Sequence, residues 1–464
     1  MCFWIVTDSK EIGGIQRFFV NCRLIWILQP STSPRWLYTL KEMQTEPNNK
    51  TKETELILIN ISGHDRPGVT SALTEILARY DAGILDIGQA DIHHSLSLGL
   101  LFKTSSDVSG DILKELLLKA YELNVNIRFT PVTIEEYEDW VGRQGKNRWI
   151  ITILGRKLTA RHIALVTAEV ARQQLNIDGI QRLTGRMPLH EVPDGTSQAK
   201  ACVELSVRGT PLSHADMQAR FMEIAQAEEF DISLQEDTMY RRCRRLVCFD
   251  MDSTLIETEV IDELAQRAGV GDRVKAITER AMRGEIDFCE SFRERVALLK
   301  GLPESVMQEI AESLPVTEGL ERMMKVLKLA GFKTAILSGG FTYFGNYLKQ
   351  KYGFDYVYAN ELEIVDGHLT GRAVGEIVDG RRKAELLKLI AQVENVNIAQ
   401  TIAVGDGAND LPMLATAGLG IAFHAKPKVK ETAEQSISTI GLDGVLYFIG
   451  FKDSFISTPK CATK

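Results

Sequence analysis

The sequence contains no CxxC pair. Its seven cysteines (Cys2, Cys22, Cys202, Cys243, Cys248, Cys289 and Cys461) are scattered and odd in number. That pattern excludes a disulfide framework or a cysteine zinc site and points to reduced thiols in a cytoplasmic protein. Positive charge is also short. Lysine and arginine number 54 against 62 aspartates and glutamates, a net charge of −8. A chain without a basic excess lacks the electrostatic footprint of general nucleic-acid or anionic-membrane binding. Long apolar runs are missing too, and none reaches the ~18 residues of a membrane span. The nearest candidate, FFVNCRLIWIL from Phe18 to Leu28, is broken by Asn21 and Arg23. It also lacks the small-residue cleavage site of a signal peptide.

What is present is ordinary globular material. The chain has 464 residues, 44% hydrophobic and 25% charged, enough for two to four domains of ~150 residues each. Met43 opens the polar run MQTEPNNKTKETE, which looks like a flexible start. Residues 1–42 are therefore expected to be a poorly ordered extension upstream of the natural start codon, with 1–50 outside the folded domains.

The first half repeats itself at an offset of 93. LILINI at Leu56 aligns with WIITIL at Trp149, and Thr74, Ala78, Arg79, Ile84 and Ile87 align with Thr167, Ala171, Arg172, Ile177 and Ile180. Helices are predicted over 69–80, 112–123, 162–173 and 213–227, with later strands over 95–103 and 201–207. Each copy then fits βαββαβ in about 80 residues. In this setting the stretch GHDRPGV, from Gly63 to Val69, resembles an ACT domain, and the repeat makes it two, over 51–137 and 147–235. The resemblance implies ferredoxin-like α+β modules that bind serine or another amino acid at paired interfaces and hold a homodimer together. Gly63, Pro67 and Gly68 suit a tight turn into a helix start, whose free N–H groups suit a ligand carboxylate. The second copy has GRKLTAR, without the Pro-Gly pair, which sets ligand binding there apart from the first. On the residues alone, modules that serve only dimerisation fit equally well.

A charged linker, QEDTMYRRCRR, ends at Arg245. Its arginines suit either an anion site or, the reading preferred here, a solvated connector. Beyond it, four motifs follow in fixed order. LVCF delivers Asp250 at a strand end, and Asp250-Met251-Asp252-Ser253-Thr254 reads DxDxT. TAILSGGF ends an apolar strand at Ser338 with Gly339 and Gly340 behind it. GRRKAELL opens a helix and offers Lys383, with Arg381 and Arg382 as competitors. TIAVGDGANDLPML brings Asp406 and Asp410 to another strand end. Ligands gather at the carboxyl ends of open α/β strands. A hydroxyl with bare amides suits phosphate oxygens, and convergent carboxylates without sulfur or nitrogen donors suit Mg²⁺.

The ordered set resembles the haloacid dehalogenase superfamily over about 245–450. The resemblance implies a Rossmann-like α/β core with a small helical cap, here about 257–315, inserted after the first strand, and a frayed tail over 451–464. It also implies roles. Asp250 is the nucleophile that forms an aspartyl-phosphate, and Asp252 is the general acid and base. Mg²⁺ is held by Asp250, the Asp252 carbonyl and Asp406, with Asp410 supporting it from outside the ligand set. Ser338, Gly339 and Lys383 hold the phosphate.

Within the insert, Glu259 and the run AMRGEIDFCESFRERV, carrying Met282, Phe288 and Arg295, are similar to the phosphoserine phosphatase family. That implies Glu259 on a substrate ammonium, Arg295 on its carboxylate, Met282 and Phe288 as pocket walls, and Asn409 reaching the substrate. It implies hydrolysis of O-phospho-L-serine as the last step of phosphorylated serine biosynthesis. Taken singly, Arg295 also fits a surface ion pair, and Met282 and Phe288 fit the core of the insert. Two rival functions follow from the same residues: a phosphatase of the same fold acting on another phosphorylated amino acid or a phosphoprotein, and an amino-acid sensor whose catalytic half only binds a partner.

Overall fold

The structure is a computed structural model that describes residues 15–20, 23–28, 53–142, 145, 147–186 and 200–456. It divides into two compact units, 1–144 and 145–464. Within the span expected to be an unstructured extension, β1 (Ile15–Val20) and β2 (Arg23–Leu28) pair antiparallel. The remainder of 1–52 lies outside the described residues.

The rest of the first unit is a four-stranded antiparallel sheet of β3 (Thr54–His64), β4 (Gly83–Ile92), β5 (Ser95–Ser105) and β6 (Val125–Val132), in the order β4-β5-β3-β6. Helices Val69–Arg79 and Ser109–Glu122 cover one face. Alternate residues Ile57, Ile59 and Ile61 of β3 and Leu96, Leu98 and Leu100 of β5 are buried, as a one-sided sheet requires. They meet Leu73, Ile76, Leu77, Ile112 and Leu116 on the helices.

The second unit opens with the same topology. Its strands are β7 (Arg148–Gly155), β8 (Asn176–Arg182), β9 (Ala201–Arg208) and β10 (Asp231–Glu236), ordered β10-β7-β9-β8. The register even slips at the equivalent place, between Ile84 and Asp86 in one copy and Ile177 and Gly179 in the other. This is the offset of 93 seen in the sequence, and a bulge that recurs is a built feature of the fold.

The linker expectation is overturned. Gln235 and Glu236 finish β10, residues Met239–Arg242 form a helical turn, and Arg241 and Arg244 are only 6% and 7% exposed. The sequence signal misled because a run of cations reads as solvated, whereas here Arg241 is drawn inward by a buried carboxylate, Glu204, at 2.7 Å.

The catalytic sheet has seven strands: β11 (Leu246–Phe249), β12 (Lys333–Phe341), β13 (Tyr356–Val365), β14 (His368–Val374), β15 (Thr401–Gly405), β16 (Leu419–Phe423) and β17 (Gln435–Ile437). Their order is β14-β13-β12-β11-β15-β16-β17, parallel except for the β13–β14 hairpin. The central strands β11 and β15 are buried at every residue, so they read as unbroken apolar runs rather than alternating ones. The hairpin turns on Asp366 and Gly367, both with positive φ (51° and 71°), the two-residue geometry that favours Asp-Gly.

Between β11 and β12 an insert carries four helices, Val260–Arg267, Gly271–Met282, Phe288–Ala297 and Ser305–Ser313. The chain enters and leaves it through an antiparallel bridge of Ile256 with Val316. The second module docks on the other end of the sheet. Gln435 bonds both backbone groups of Leu234, and Asp231 accepts from the amides of Ser438 and Thr439.

The start of the tail is fastened rather than frayed. Asp453 receives Arg322 at 2.6 Å, the Tyr447 hydroxyl at 2.8 Å and the Gly185 amide at 2.6 Å. Residues 457–464 lie outside the described residues. Among the described residues no helix is long and apolar enough to cross a membrane.

Candidate active site

Strand β11 lies between β12, which follows it in the chain, and β15, which comes much later. Strand order reverses there, and such a switch point opens a crevice at the carboxyl ends. Asp250 sits at that end of β11, Ser338 and Gly339 at that end of β12, and Asp406 just past β15.

The centre is a buried cluster of charges. The Lys383 ammonium is wholly buried and donates to Asp250 Oδ1 at 2.8 Å and to Asp410 Oδ1 at 2.6 Å. This distinguishes it from its sequence neighbours, since Arg382 is spent on Glu376 and Glu385 at the surface. Asp379 caps the helix by accepting from the Arg382 amide, which places Lys383 on the inward side. Burial pulls the lysine pKa down, but Asp250 and Asp410 more than offset it and leave it above the ordinary value. Asp250 Oδ1 also accepts from the Met251 amide at 2.7 Å.

Oxygens of Asp250, Asp406 and Asp410 all lie within 4.8 Å of one another. One ammonium thus faces three carboxylates in a poorly solvated place. Burial first, and Asp250 second, push Asp406 up to about 8 and Asp410 up to about 7. Such an uncompensated, all-oxygen donor set fits a hard divalent cation such as Mg²⁺. The hydrogen bonds divide the labour. Asp410 is committed through both oxygens, to Lys383 and to the Gly407 amide at 2.9 Å, whereas among the described residues Asp406 receives a single 3.3 Å bond, from Thr254 Oγ1.

Asp252 is 8% exposed. One oxygen accepts from the Val260 amide at 3.0 Å, at the start of an insert helix. The other lies against Gly340, where an added Cβ would come within 2.3 Å of it. Burial, then Glu259 and Asp250, raise the Asp252 pKa well above the carboxylate range. A carboxyl whose protonated form is favoured in this way is suited to donating a proton.

Ser338 is fully buried, and its hydroxyl accepts from the Gly340 amide at 2.9 Å, so its proton is free to point into the crevice. Gly339 is pressed by the insert: an added Cβ would lie 2.8 Å from Phe288 Cζ. Phe288 therefore closes over the loop at Ser338–Gly340, and its ring also neighbours Phe292. Met282, at the end of its helix, is 67% exposed and is not part of the insert core.

Glu259 presents its carboxylate to solvent in the crevice yet lies deep among protein groups. Desolvation raises its pKa, opposed by a 2.8 Å bond from the Ser253 hydroxyl and by Arg295. Arg295 donates Nε only to the Ser291 carbonyl. Burial lowers its pKa, while Glu259, Asp262 and Asp252 act to raise it. The surface ion pair that its helix suggested is made instead by Glu294 with Arg280 at 2.9 Å. Glu259 and Arg295 thus each influence the other's charge without a direct ion pair among the described residues. Asn409 lies in the short turn Ala408–Asp410, packed through its backbone against Gly380 and through its side chain against Gly407.

Three supporting residues escaped the sequence reading. Asn360, 2% exposed on β13, donates to the carbonyls of Gly339 and Gly340 and accepts from the Val378 amide, so it clamps the Ser338–Gly340 loop. Thr254 tethers Asp406, and its carbonyl accepts from Thr317 at the neck of the insert. Ser253 holds Glu259 from a left-handed backbone conformation, φ 56°, which is costly for a non-glycine residue and clusters at functional sites. For Thr254 the signal was its place in DxDxT; a lone asparagine in a strand carries none. The larger cavities, about 750 Å³ beside Arg156 and Asp231 and about 740 Å³ beside Arg372 and Asp379, contain none of these convergent carboxylates.

Comparison with known proteins agrees with this fold. A family model described as a haloacid dehalogenase-like hydrolase matches residues 247–415, and one described as an ACT domain matches 55–130. The ACT match falls on the first module alone. "Phosphoserine phosphatase SerB2" of Mycobacterium tuberculosis is 40% identical over 395 residues, covering 85% of this chain and 93% of that protein. A crystal structure of a HAD family hydrolase from Salmonella enterica superposes with TM-score 0.56 at 31% identity, covering 65% of this chain and 99% of that one. An unliganded probable phosphoserine phosphatase from Vibrio cholerae gives 0.52 at 36% identity, with coverage of 66% and 88%.

Proposed function

The chain belongs to the phosphoserine phosphatase family of haloacid dehalogenase-like hydrolases, and from that premise we propose that it hydrolyses O-phospho-L-serine to L-serine and phosphate, the last step of phosphorylated serine biosynthesis. The observation that supports the choice of substrate is that Glu259 and the half-buried Arg295 act on each other electrostatically while Arg295 forms no ion pair among the described residues. A zwitterion satisfies both.

Asp250 attacks phosphorus and becomes an aspartyl-phosphate. Asp252, whose raised pKa favours the protonated form, donates to the serine oxygen as it leaves. The same carboxylate then takes a proton from the water that opens the acyl-phosphate. Ser338, the Gly339 amide and Lys383 hold the phosphoryl oxygens. Asp250, the Asp252 carbonyl and Asp406 would hold Mg²⁺, which when bound neutralises phosphate and carboxylate charge, and Asp410 orients the set from behind. The insert serves as the cap, with Phe288 and Met282 lining the pocket and Asn409 beside the substrate.

The domains follow as 51–137, 147–235 and 245–450, the second read as an ACT-like repeat of the first. Serine binding and homodimerisation are assigned to the first module, whose edge strand β4 leaves Ile84, Ile87 and Ile92 exposed. Rates on O-phospho-L-serine, phosphohomoserine and a phosphoserine peptide test the substrate; equal kcat/KM on all three would refute it.

Arg295→Ala is expected to raise KM for phosphoserine by about 10–100-fold, the worth of hydrogen bonds to a charged group, with a smaller change in kcat. Arg295→Lys recovers little, since an ammonium cannot fork onto a carboxylate. An unchanged KM for Arg295→Ala would remove the residue from the pocket.

Metal-free protein should lose stability as pH rises. Asp406 and Asp410 release their protons near the ordinary aspartate value of 3.8 when unfolded but near 8 and 7 when folded. Between those limits the unfolded chain binds fewer protons, so stability falls with increasing pH. Mg²⁺ should therefore raise Tm by several degrees more at pH 8 than at pH 5, at roughly 2–4 °C per kcal/mol. Scanning calorimetry showing the same Mg²⁺ increment at both pH values would contradict this.

A further inference from the structure

The arginines that join the second module to the catalytic sheet have no part in the chemistry above. Arg241 pairs with Glu204 and Arg242 with Asp237. Arg244 and Arg245 form no ion pair among the described residues. For Arg245, exposed at the surface, this is unremarked chemistry, but Arg244 is 7% exposed. Its Nη1 donates to the carbonyls of Thr401 (3.1 Å) and Ala399 (3.4 Å), and its Nη2 reaches Gln235 Oε1 at 3.4 Å. All three acceptors are neutral. The Nε atoms of Arg244 and Arg241 are both buried and have no acceptor at all. Burial first, then the charge of Arg241, pull the Arg244 pKa down to about 10, with no carboxylate acting the other way.

These side chains border a cavity of about 300 Å³, lined also by Phe332, Gly450 and Phe455. A buried guanidinium without a carboxylate, bordering a cavity that a second unpaired arginine, Arg245, also borders, is unfavourable unless an anion joins them. We propose that the cavity bordered by Arg241, Arg244 and Arg245 is a binding site for a small oxyanion. Inorganic phosphate is the candidate that the proposed reaction itself releases, so the choice of anion rests on that reading. Guanidinium groups suit phosphate in shape and donor spacing, and a liquid-like water share of ~30 Å³ leaves room for the anion with its waters. The site is separate from the active site. Arg244 and Arg245 precede β11, Phe332 precedes β12 and Thr401 opens β15, so the cavity lies at the amino ends of strands whose carboxyl ends carry Asp250, Ser338 and Asp406. The four residues of β11 set the two apart by roughly 13 Å.

Isothermal titration of inorganic phosphate into the full chain with Mg²⁺ should show two equivalents. Arg244→Gln and, separately, the surface variant Arg245→Gln should weaken one equivalent at least ten-fold while leaving kcat for phosphoserine within two-fold. Crystals of the wild type soaked in selenate should show an anomalous peak in the cavity beside Arg244 and Arg245, a readout that needs no variant to fold. A single equivalent in the wild type, two equivalents unchanged in both variants, or no selenate peak would overturn the proposal. Loss of phosphoserine hydrolysis with the second equivalent intact would instead count against the catalytic reading alone.

Discussion

Asp250→Asn protein is expected to fold normally and to release phosphate from O-phospho-L-serine at least about 10⁴-fold more slowly than the wild type, as removal of a nucleophile does elsewhere. Asparagine keeps the shape and still accepts from the Met251 amide, but its amide oxygen is too poor a nucleophile to form the phosphoryl intermediate. Stability should move the other way. Lys383 retains Asp410 at 2.6 Å, and one of the three carboxylates that raise each other's pKa is gone. Metal-free Asp250→Asn should therefore melt no lower than metal-free wild type. Phosphate release and calorimetry on the same preparation separate the two effects; hydrolysis within ten-fold of wild type would rule out Asp250 as the nucleophile.

Lys383→Met is expected to damage both stability and rate. It leaves Asp250, Asp406 and Asp410 buried with no cation, and breaking a buried pair from one side costs about 3–5 kcal/mol. Loss of a preorganised charge on the phosphoryl group should lower kcat by about 10²–10³-fold. The double variant Asp250→Asn/Lys383→Met should recover part of the stability, because the partner left stranded has gone. Denaturant unfolding of the four proteins gives the coupling. Additive losses would mean that Lys383 and Asp250 do not interact as their 2.8 Å contact implies.

How much of this could be read beforehand varied with the kind of interaction. Asp250, Ser338 and Asp406 were legible because each follows an apolar run, and a parallel strand buried on both faces is the plainest local pattern a sequence carries. The βαββαβ repeat was legible for the same reason, down to the offset that recurs in its bulge. Lys383 was harder, since its helix start offers three cations in a row; only the fold shows that the Asp379 cap turns that one inward. Asn360 was invisible. Its role depends on β13 pairing beside β12, a contact that no local pattern encodes. The linker was misread because hydrophilic residues are usually solvated, and nothing near Arg241 in sequence announces Glu204. The tail misled in the same way, through Asp453 and its distant partner Arg322. Tertiary ion pairs between residues far apart in sequence account for both errors.

In the proposed reading Arg295 and Glu259 select a zwitterion and the Asp250 cluster holds a divalent cation. Both bear on one assay, steady-state phosphate release from O-phospho-L-serine by the wild-type chain with Mg²⁺ and with EDTA in its place. Saturable release that is present with Mg²⁺ and abolished by EDTA is the expected result. Absence of release with Mg²⁺, or release that EDTA leaves unchanged, would contradict the account.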